Sequence, residues 1–278
     1  RDAGQTCVLA RRWRHLWKSA TGLRIGSDEE DTARVREIRV IVDHNLLLRG
    51  CAPLDMCELK FWFDSDEDDD EEDEESKNDA RRVNLWIRSA VASKVRNLVL
   101  NNICSGSFEL DDLPLVSRHL TRLELFNLEL TNRFCNFSSC PALEHVKIAN
   151  STVSCPRIIS SSTGSLLRLI ITRCSFVVGT SFRTKICVPS LVSLQLDSNS
   201  KTPLLESMPS LAEATVRVTA GCSDVCGNAD SGYCGFEDCK YCYPIDDNRN
   251  CVLLNGLSEA KNLALTAECK TVCLNSCF

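Results

Sequence analysis

Six thiols crowd into thirty residues, as Cys222-x3-Cys226-x7-Cys234-x4-Cys239-x2-Cys242-x8-Cys251, among Gly, Asp and Asn. Cys239 and Cys242 have the spacing of a metal knuckle, and Cys226 with Cys234 would complete four thiolates around a tetrahedral zinc. A bound metal would also order so polar a stretch. No second C-x2-C pair accompanies the first, so free thiols are the preferred reading and zinc the alternative. The other twelve of the eighteen cysteines share no common spacing, and 278 residues can build a core without disulfide staples. Cys174 takes an apolar place, where a free thiol acts as a small buried hydrophobe. This usage points to a reducing compartment, cytoplasmic or nuclear. The Asn-x-Ser/Thr sequences at Asn136 and Asn150 would matter only in a secreted chain.

No other constellation supports catalysis. The chain has no G-x-S-x-G, no G-x-x-x-x-G-K-[ST] and no H-E-x-x-H. His15, His44, His119 and His145 lie at unrelated spacings and read as surface or structural residues. With no nucleophile–base pair to nominate, an enzyme is not expected, nor any cofactor beyond the zinc alternative.

What would position a site here is a repeat. Leu120-Thr-Arg-Leu123-Glu-Leu125 returns as Leu143-Glu-His-Val146-Lys-Ile148, Leu166-Leu-Arg-Leu169-Ile-Ile171 and Leu191-Val-Ser-Leu194-Gln-Leu196. The starts lie 23, 23 and 25 residues apart, inside the period of leucine-rich repeats. Val95-Arg-Asn-Leu98-Val-Leu100 extends the series backwards, and Leu211-Ala-Glu-Ala214-Thr-Val216 extends it forwards. Lys261-Asn-Leu263-Ala-Leu265 closes it after a gap. Val35 to Val40 and Met56 to Phe61 read as degenerate early repeats, with a short helix or turn at His44 to Leu48 between them. Pro141, Pro189 and Pro209 stand just ahead of hexads, where a residue without an N–H ends the returning segment. The fold class that follows is α/β: a leucine-rich-repeat solenoid, a horseshoe of parallel strands over residues 34–278. Neighbouring repeats must stack, because none can bury its apolar face alone.

Two inserts depart from the template: an acidic one at 64–79 and the cysteine-rich one at 219–251. From Asp64 to Glu75, eleven of twelve residues are Asp or Glu. Without them, 27 acids face 32 Lys and Arg, so the net charge of −6 describes one insert rather than the fold. Such a run cannot bury apolar area and is expected to be a disordered, solvated loop. No apolar run approaches the roughly 18 residues that span a bilayer, so no membrane partner is expected.

Residues 1–19 read as a basic amphipathic helix, with Cys7, Val8, Leu9, Trp13, Leu16 and Trp17 roughly on one face and Arg11, Arg12 and Arg14 on the other. Val83 to Val91 reads as a second helix, with Val83, Trp86, Ile87 and Ala90 inward. The first of these, Arg1-Asp-Ala-Gly-Gln-Thr-Cys-Val-Leu-Ala-Arg-Arg-Trp-Arg-His-Leu-Trp, resembles the last helix of the plant F-box, of the form D-A-x-x-T-C-V-L-S-x-R-W-R-x-L-W. Ala10 replaces the usual Ser. Val83-Asn-Leu-Trp-Ile-Arg-Ser-Ala-Val91 before the Val95 hexad matches another phrase of the same family. The chain thus resembles plant F-box/leucine-rich-repeat proteins of the ribonuclease-inhibitor-like, FBD-associated type.

The resemblance implies a substrate-recognition subunit of a Skp–cullin–F-box ubiquitin ligase. Val8, Leu9, Arg12, Trp13, Leu16 and Trp17 would then touch the Skp-type adaptor. The family's Leu-Pro-x-Asp-Leu-Leu start does not precede them and its FBD-type tail does not follow, so the chain is expected to begin within the F-box. An upstream segment is also expected, since residue 1 is Arg rather than Met.

If the first, fourth and sixth places of each hexad face inward, the third, fifth and seventh line the concave face. These are Arg122, Glu124 and Phe126; His145, Lys147 and Ala149; Arg168, Ile170 and Thr172; and Ser193, Gln195 and Asp197. The strip is cationic with an apolar edge at Phe126 and Ile170, which suits a target protein segment or a small acidic ligand. It lacks the aromatic stacking pattern of a nucleic-acid binder. A ligase-independent binding scaffold, a non-functional fragment and a zinc-binding module are the alternative readings.

Overall fold

Apolar residues at the first, fourth and sixth places alternate with polar ones from the third place on, and a period of two makes a strand with one buried face. The computed structural model describes residues 19–26, 40–43, 45–46, 52–61, 72–103, 108–161, 164–177, 183–198, 202–206, 208–219, 253 and 256–267. In chain order the elements begin with β1 (Gly22–Ile25), β2 (Met56–Phe61), helix α1 (Glu72–Ala92), β3 (Asn97–Asn102), β4 (Phe108–Glu109), β5 (Arg122–Phe126) and β6 (Leu128–Leu130). Next come β7 (His145–Ala149), β8 (Thr152–Val153), β9 (Arg157–Ile159), β10 (Arg168–Phe176) and β11 (Lys185–Cys187). The last are β12 (Ser193–Ser198), β13 (Leu204–Leu205), β14 (Glu213–Val218) and β15 (Asn262–Ala267).

Each hexad from Met56 onward becomes one strand of a curled parallel sheet, in the order β1-β2-β3-β5-β7-β10-β12-β14-β15. This is the architecture of a leucine-rich-repeat solenoid. The register keeps the fourth places in line: Leu98, Leu123, Val146, Leu169, Leu194 and Ala214 are successive partners. All six are buried, as are the sixth-place Leu100, Leu125, Ile148, Ile171, Leu196 and Val216. The return segments supply two further parallel ladders: β4, β6, β8 and the end of β10 form one, and β9, β11 and β13 the other. In β15, the edge strand of the described residues, Leu263 and Leu265 are 44% and 36% exposed.

Two expectations are corrected. Of the stretch Val35 to Val40 only Val40 is described, and it is exposed at the start of a helical segment, residues 40–43 and 45–46, rather than in a strand; residues 35–39 lie outside the described residues. Val42 and Leu46, four apart, are buried on that helical face, and the strand beside β2 is β1, where Leu23 partners Cys57 and Ile25 partners Leu59. The acidic insert also ends earlier than expected. Glu72–Glu75 are helical, at the start of the 21-residue α1, and residues 72–79 belong to that helix; residues 64–71 lie outside the described residues. Carboxylates are favourable beside the positive end of a helix dipole, and Glu is a strong helix former.

Helix α1 buries Val83, Trp86, Ile87 and Ala90 on one stripe, as its spacing predicts, with the Trp86 ring edge-on to Phe61 of β2. Trp86 Nε1 donates to Asp43 Oδ1 at 2.6 Å, and Arg82 lies 3.6 Å from Asp43 and 3.7 Å from the buried Asp79. The helix ends with Lys94 at φ 58°, where Lys94 N donates to Val91 O and Val95 N to Ala90 O. This paired closure satisfies two terminal carbonyls and hands the chain directly to β3.

A positive φ recurs where strands leave the main sheet, at Asn127, Asn150 and Arg173, 23 residues apart. The left-handed conformation turns each chain from the concave sheet into the ladder behind it, and Asn tolerates it better than a long side chain does. Arg173→Asn is therefore expected to raise stability by about 0.5–1 kcal/mol, read as a shift in urea midpoint.

The place after this turn carries a hydrogen-bonding ladder. Ser151 Oγ accepts from Leu128 N and donates to Ala149 O, while Cys174 Sγ donates to Thr172 O at 3.3 Å and Ile148 O at 3.5 Å. Burial pushes the Cys174 thiol up from its ordinary value near 9 to about 11. The folded state then holds this proton more tightly than the unfolded state, so the stability it contributes is complete below pH 9 and is lost as pH rises towards 11. Urea midpoints measured from pH 8 to 11 should fall more steeply for the wild type than for Cys174→Ala.

Candidate functional site

The strand register assembles the concave face from three rows. Arg122, His145, Arg168 and Ser193 are successive partners in the first row. Glu124, Lys147, Ile170 and Gln195 form the second, and Phe126, Ala149, Thr172 and Asp197 the third. Adjacent strands lie about 4.8 Å apart, so Arg122 and Arg168 stand roughly 10 Å from one another on either side of His145. All of these residues are partly or fully exposed except Ala149, which is 3% exposed. Its methyl group lies between its register partners Phe126 and Thr172, so it adds little to the surface expected of it.

The cations of the face are not equivalent. Arg122 Nε is 2.6 Å from Glu124 Oε1 on its own strand, and Lys147 Nζ sits 5.0 Å from the centroid of the Phe126 ring. Exposed contacts of these kinds contribute about 1 kcal/mol or less, but each gives its cation a resting partner. His145 Nε2 lies 4.0 Å from Glu144. Arg168 is exposed and makes no ion pair among the described residues. Asp197 Oδ1 is buried and accepts no hydrogen bond among the described residues.

The structure also shows a polar cluster that sequence spacing did not reveal. On the β9–β11–β13 ladder, Arg157 Nη2 lies 3.2 Å from both Cys187 Sγ and Glu206 Oε2, and Lys185 Nζ is 3.7 Å from Glu206 Oε1. The Cys187 thiol hydrogen-bonds the Glu206 carboxylate. Burial, then that bond, pushes the Cys187 thiol up, so it rests as a protonated donor and not as a nucleophilic thiolate. Its members come from three return segments outside the hexads, which is why the repeat pattern did not flag them.

Of the other described cysteines, Cys135, Cys140, Cys155 and Cys174 are free thiols, and these four and Cys57 are buried, as small hydrophobes would be. A hydrogen bond to Cys155 and burial together hold the Cys135 thiol well above its ordinary value. Val8, Leu9, Arg12, Trp13, Leu16 and Trp17, and the zinc candidates Cys226, Cys234, Cys239 and Cys242, lie outside the described residues. Elemental analysis of the reduced protein tests the preferred free-thiol reading of that cluster, which expects no bound zinc; one equivalent of zinc would favour the alternative.

Two of the relatives that match this repeat array are themselves named as LRR-repeat proteins. The chain is 26% identical to F-box/LRR-repeat protein 13 of Arabidopsis thaliana over 197 residues, which cover 71% of this chain and 36% of that protein. It is 27% identical to an FBD-associated F-box protein of Arabidopsis thaliana, over 78% of this chain and 56% of the relative. An F-box/FBD/LRR-repeat protein of the same plant is 28% identical over 72% of this chain and 45% of its own length. The chain is similar to plant F-box/leucine-rich-repeat proteins. It spans about half the length of the relatives it matches, or less. No protein-family profile matches it, and no solved structure does. Among the described residues, no helix is long and apolar enough to cross a membrane.

Proposed function

We propose that this chain holds target proteins for a Skp–cullin–F-box ubiquitin ligase, with the target seated on the concave face of β5, β7, β10 and β12. The observation that carries this reading is the similarity to proteins named for both an F-box and leucine-rich repeats. The face fits the role, because it is wide, exposed and rich in polar side chains that need no internal partner. The chain's own part is binding. Ubiquitin transfer falls to other subunits, and tethering raises the target's effective concentration near them. Val8, Leu9, Arg12, Trp13, Leu16 and Trp17 would contribute to the Skp-type adaptor contact. The free thiols suit a cytoplasmic or nuclear protein.

Two linked measurements test the proposal. The protein should co-purify with a Skp-type adaptor and cullin, and its depletion should lengthen the half-life of at least one protein that it binds. Partners whose half-life does not change would overturn the ligase reading in favour of a ligase-independent scaffold.

A further inference from the structure

At the entrance to each main-sheet strand from β2 to β14, two successive N–H groups share one carbonyl. Leu167 N and Arg168 N both donate to Glu144 O at 3.0 Å, and Val192 N and Ser193 N both donate to Leu167 O at 2.9 Å. This resets the strand alternation, so the second place of the hexad need not follow the fourth and sixth into the core. Second-place residues instead stack from strand to strand along the rim where the strands begin: Glu144 N bonds to Thr121 O, Leu167 N to Glu144 O, Val192 N to Leu167 O and Ala212 N to Val192 O. In the middle of that rim, Leu167 and Val192 are neighbours, 42% and 39% exposed. Arg168 follows Leu167 directly and faces the concave side without an ion pair among the described residues.

We infer that Leu167, Val192 and Arg168 form the seat for a target segment in which an acidic residue stands beside an apolar one. This rests on the target-holding role proposed above and specifies its chemistry. Charge complementarity selects the acid, because among the described residues Arg168 is the arginine of this face with no carboxylate at ion-pair distance, and its guanidinium is ready to take a bidentate partner. Arg122 and Lys147 already have partners in Glu124 and Phe126, and Glu144 adds negative charge beside His145. The seat therefore takes one carboxylate, not a polyanion. The two exposed aliphatic side chains select the apolar neighbour, since covering them removes apolar surface from water. Together they make a small hot spot: an Arg anchor edged by apolar contacts that exclude water.

The test uses fluorescence anisotropy on the intact chain with three fluorescein-labelled ten-residue peptides. One carries a single Glu beside a Leu in an otherwise Gly–Ser sequence; in the second the Glu is Lys; in the third the Leu is Ser. The first should bind at least tenfold more tightly than either of the others. Arg168→Glu and the double variant Leu167→Asp/Val192→Asp should each weaken it tenfold or more. Arg88→Glu, on the exposed face of α1, makes the same charge change elsewhere and should leave binding within about twofold. Circular dichroism verifies that each variant is folded, and Arg168→Lys should retain part of the affinity. Equal binding of the first two peptides, or an effect of Arg88→Glu as large as that of Arg168→Glu, would overturn the inference. If the Lys or Ser peptide binds best and concave-face variants weaken it, this seat chemistry fails while the target-holding role stands. If no peptide responds to any concave-face variant, both fail.

Discussion

Leu169→Ala is expected to lower the free energy of unfolding by about 2–5 kcal/mol, measured by urea denaturation followed by circular dichroism. Leu169 is fully buried at the fourth place of β10, and its register partners are Val146 on β7 and Leu194 on β12. The stacked rows leave little freedom to collapse around a missing isobutyl group, so a cavity persists next to two neighbouring repeats. Set against a net stability of about 5–15 kcal/mol for an ordinary domain, such a loss threatens cooperative folding of the central repeats. The same truncation at Leu263, 44% exposed in β15, should cost about 1 kcal/mol or less. Near-equal losses at the two sites would contradict the burial gradient from the middle of the array to β15.

The second large effect is expected at Asn127, where two independent requirements meet. Its Nδ2 donates to Asn102 O at 2.7 Å, and Asn102 Nδ2 donates back to Asn127 O at 3.3 Å. Asn102 is 2% exposed, so its carbonyl has no ready access to water once that donor is gone. Asn127 also holds φ 54°, where a Cβ without a polar group costs roughly 1–2 kcal/mol. Adding about 0.5–1.5 kcal/mol for the lost hydrogen bond, Asn127→Ala should destabilise by about 2–3 kcal/mol. Asn127→Gly separates the contributions: it removes the backbone strain and keeps the hydrogen-bond loss, so its cost should be smaller by about 1 kcal/mol or more. Equal costs for Ala and Gly would show that the turn conformation carries no strain.

Most of the main sheet was legible in the sequence because its determinants are local and repeated. Leucine spacing specifies which face of a strand is buried, and a constant period brings each strand into register with the next. Val83, Trp86, Ile87 and Ala90 were legible for the same reason, since one turn of helix returns them to one stripe. The hexad spacing of Val35, Ile38 and Val40 misled at its described end, because Val40 is helical and Val42 and Leu46 give the segment a buried helical stripe; Leu23 and Ile25, only two apart, supply the strand beside β2. Acidic composition argued for a solvated loop through Glu75. The helix dipole and continuity with the apolar stripe of α1 favour helix from Glu72 onward.

The candidate face shows the same division. Odd hexad places were readable as exposed because alternation is strict inside a strand. Leu167 and Val192, at the second place of their hexads, were given no face by that alternation, and only the shared carbonyls at the strand entrance show why they are exposed. Nor could spacing reveal that Arg122 rests on Glu124 and Lys147 on Phe126, while Arg168 makes no ion pair among the described residues. The cluster of Arg157, Lys185, Cys187 and Glu206 is likewise a product of stacking three return segments that share no motif.

Site-specific photo-crosslinking in cells with the proteasome blocked tests directly whether the concave face holds a target. A photoreactive residue at Ile170, on the concave face, is compared with one at Leu85, exposed on α1 across the sheet. A protein should be captured from Ile170 and not from Leu85, and its ubiquitylation should fall when this chain is depleted. Capture from Leu85 alone, or capture from Ile170 of proteins whose ubiquitylation does not depend on this chain, would contradict the target-holding role.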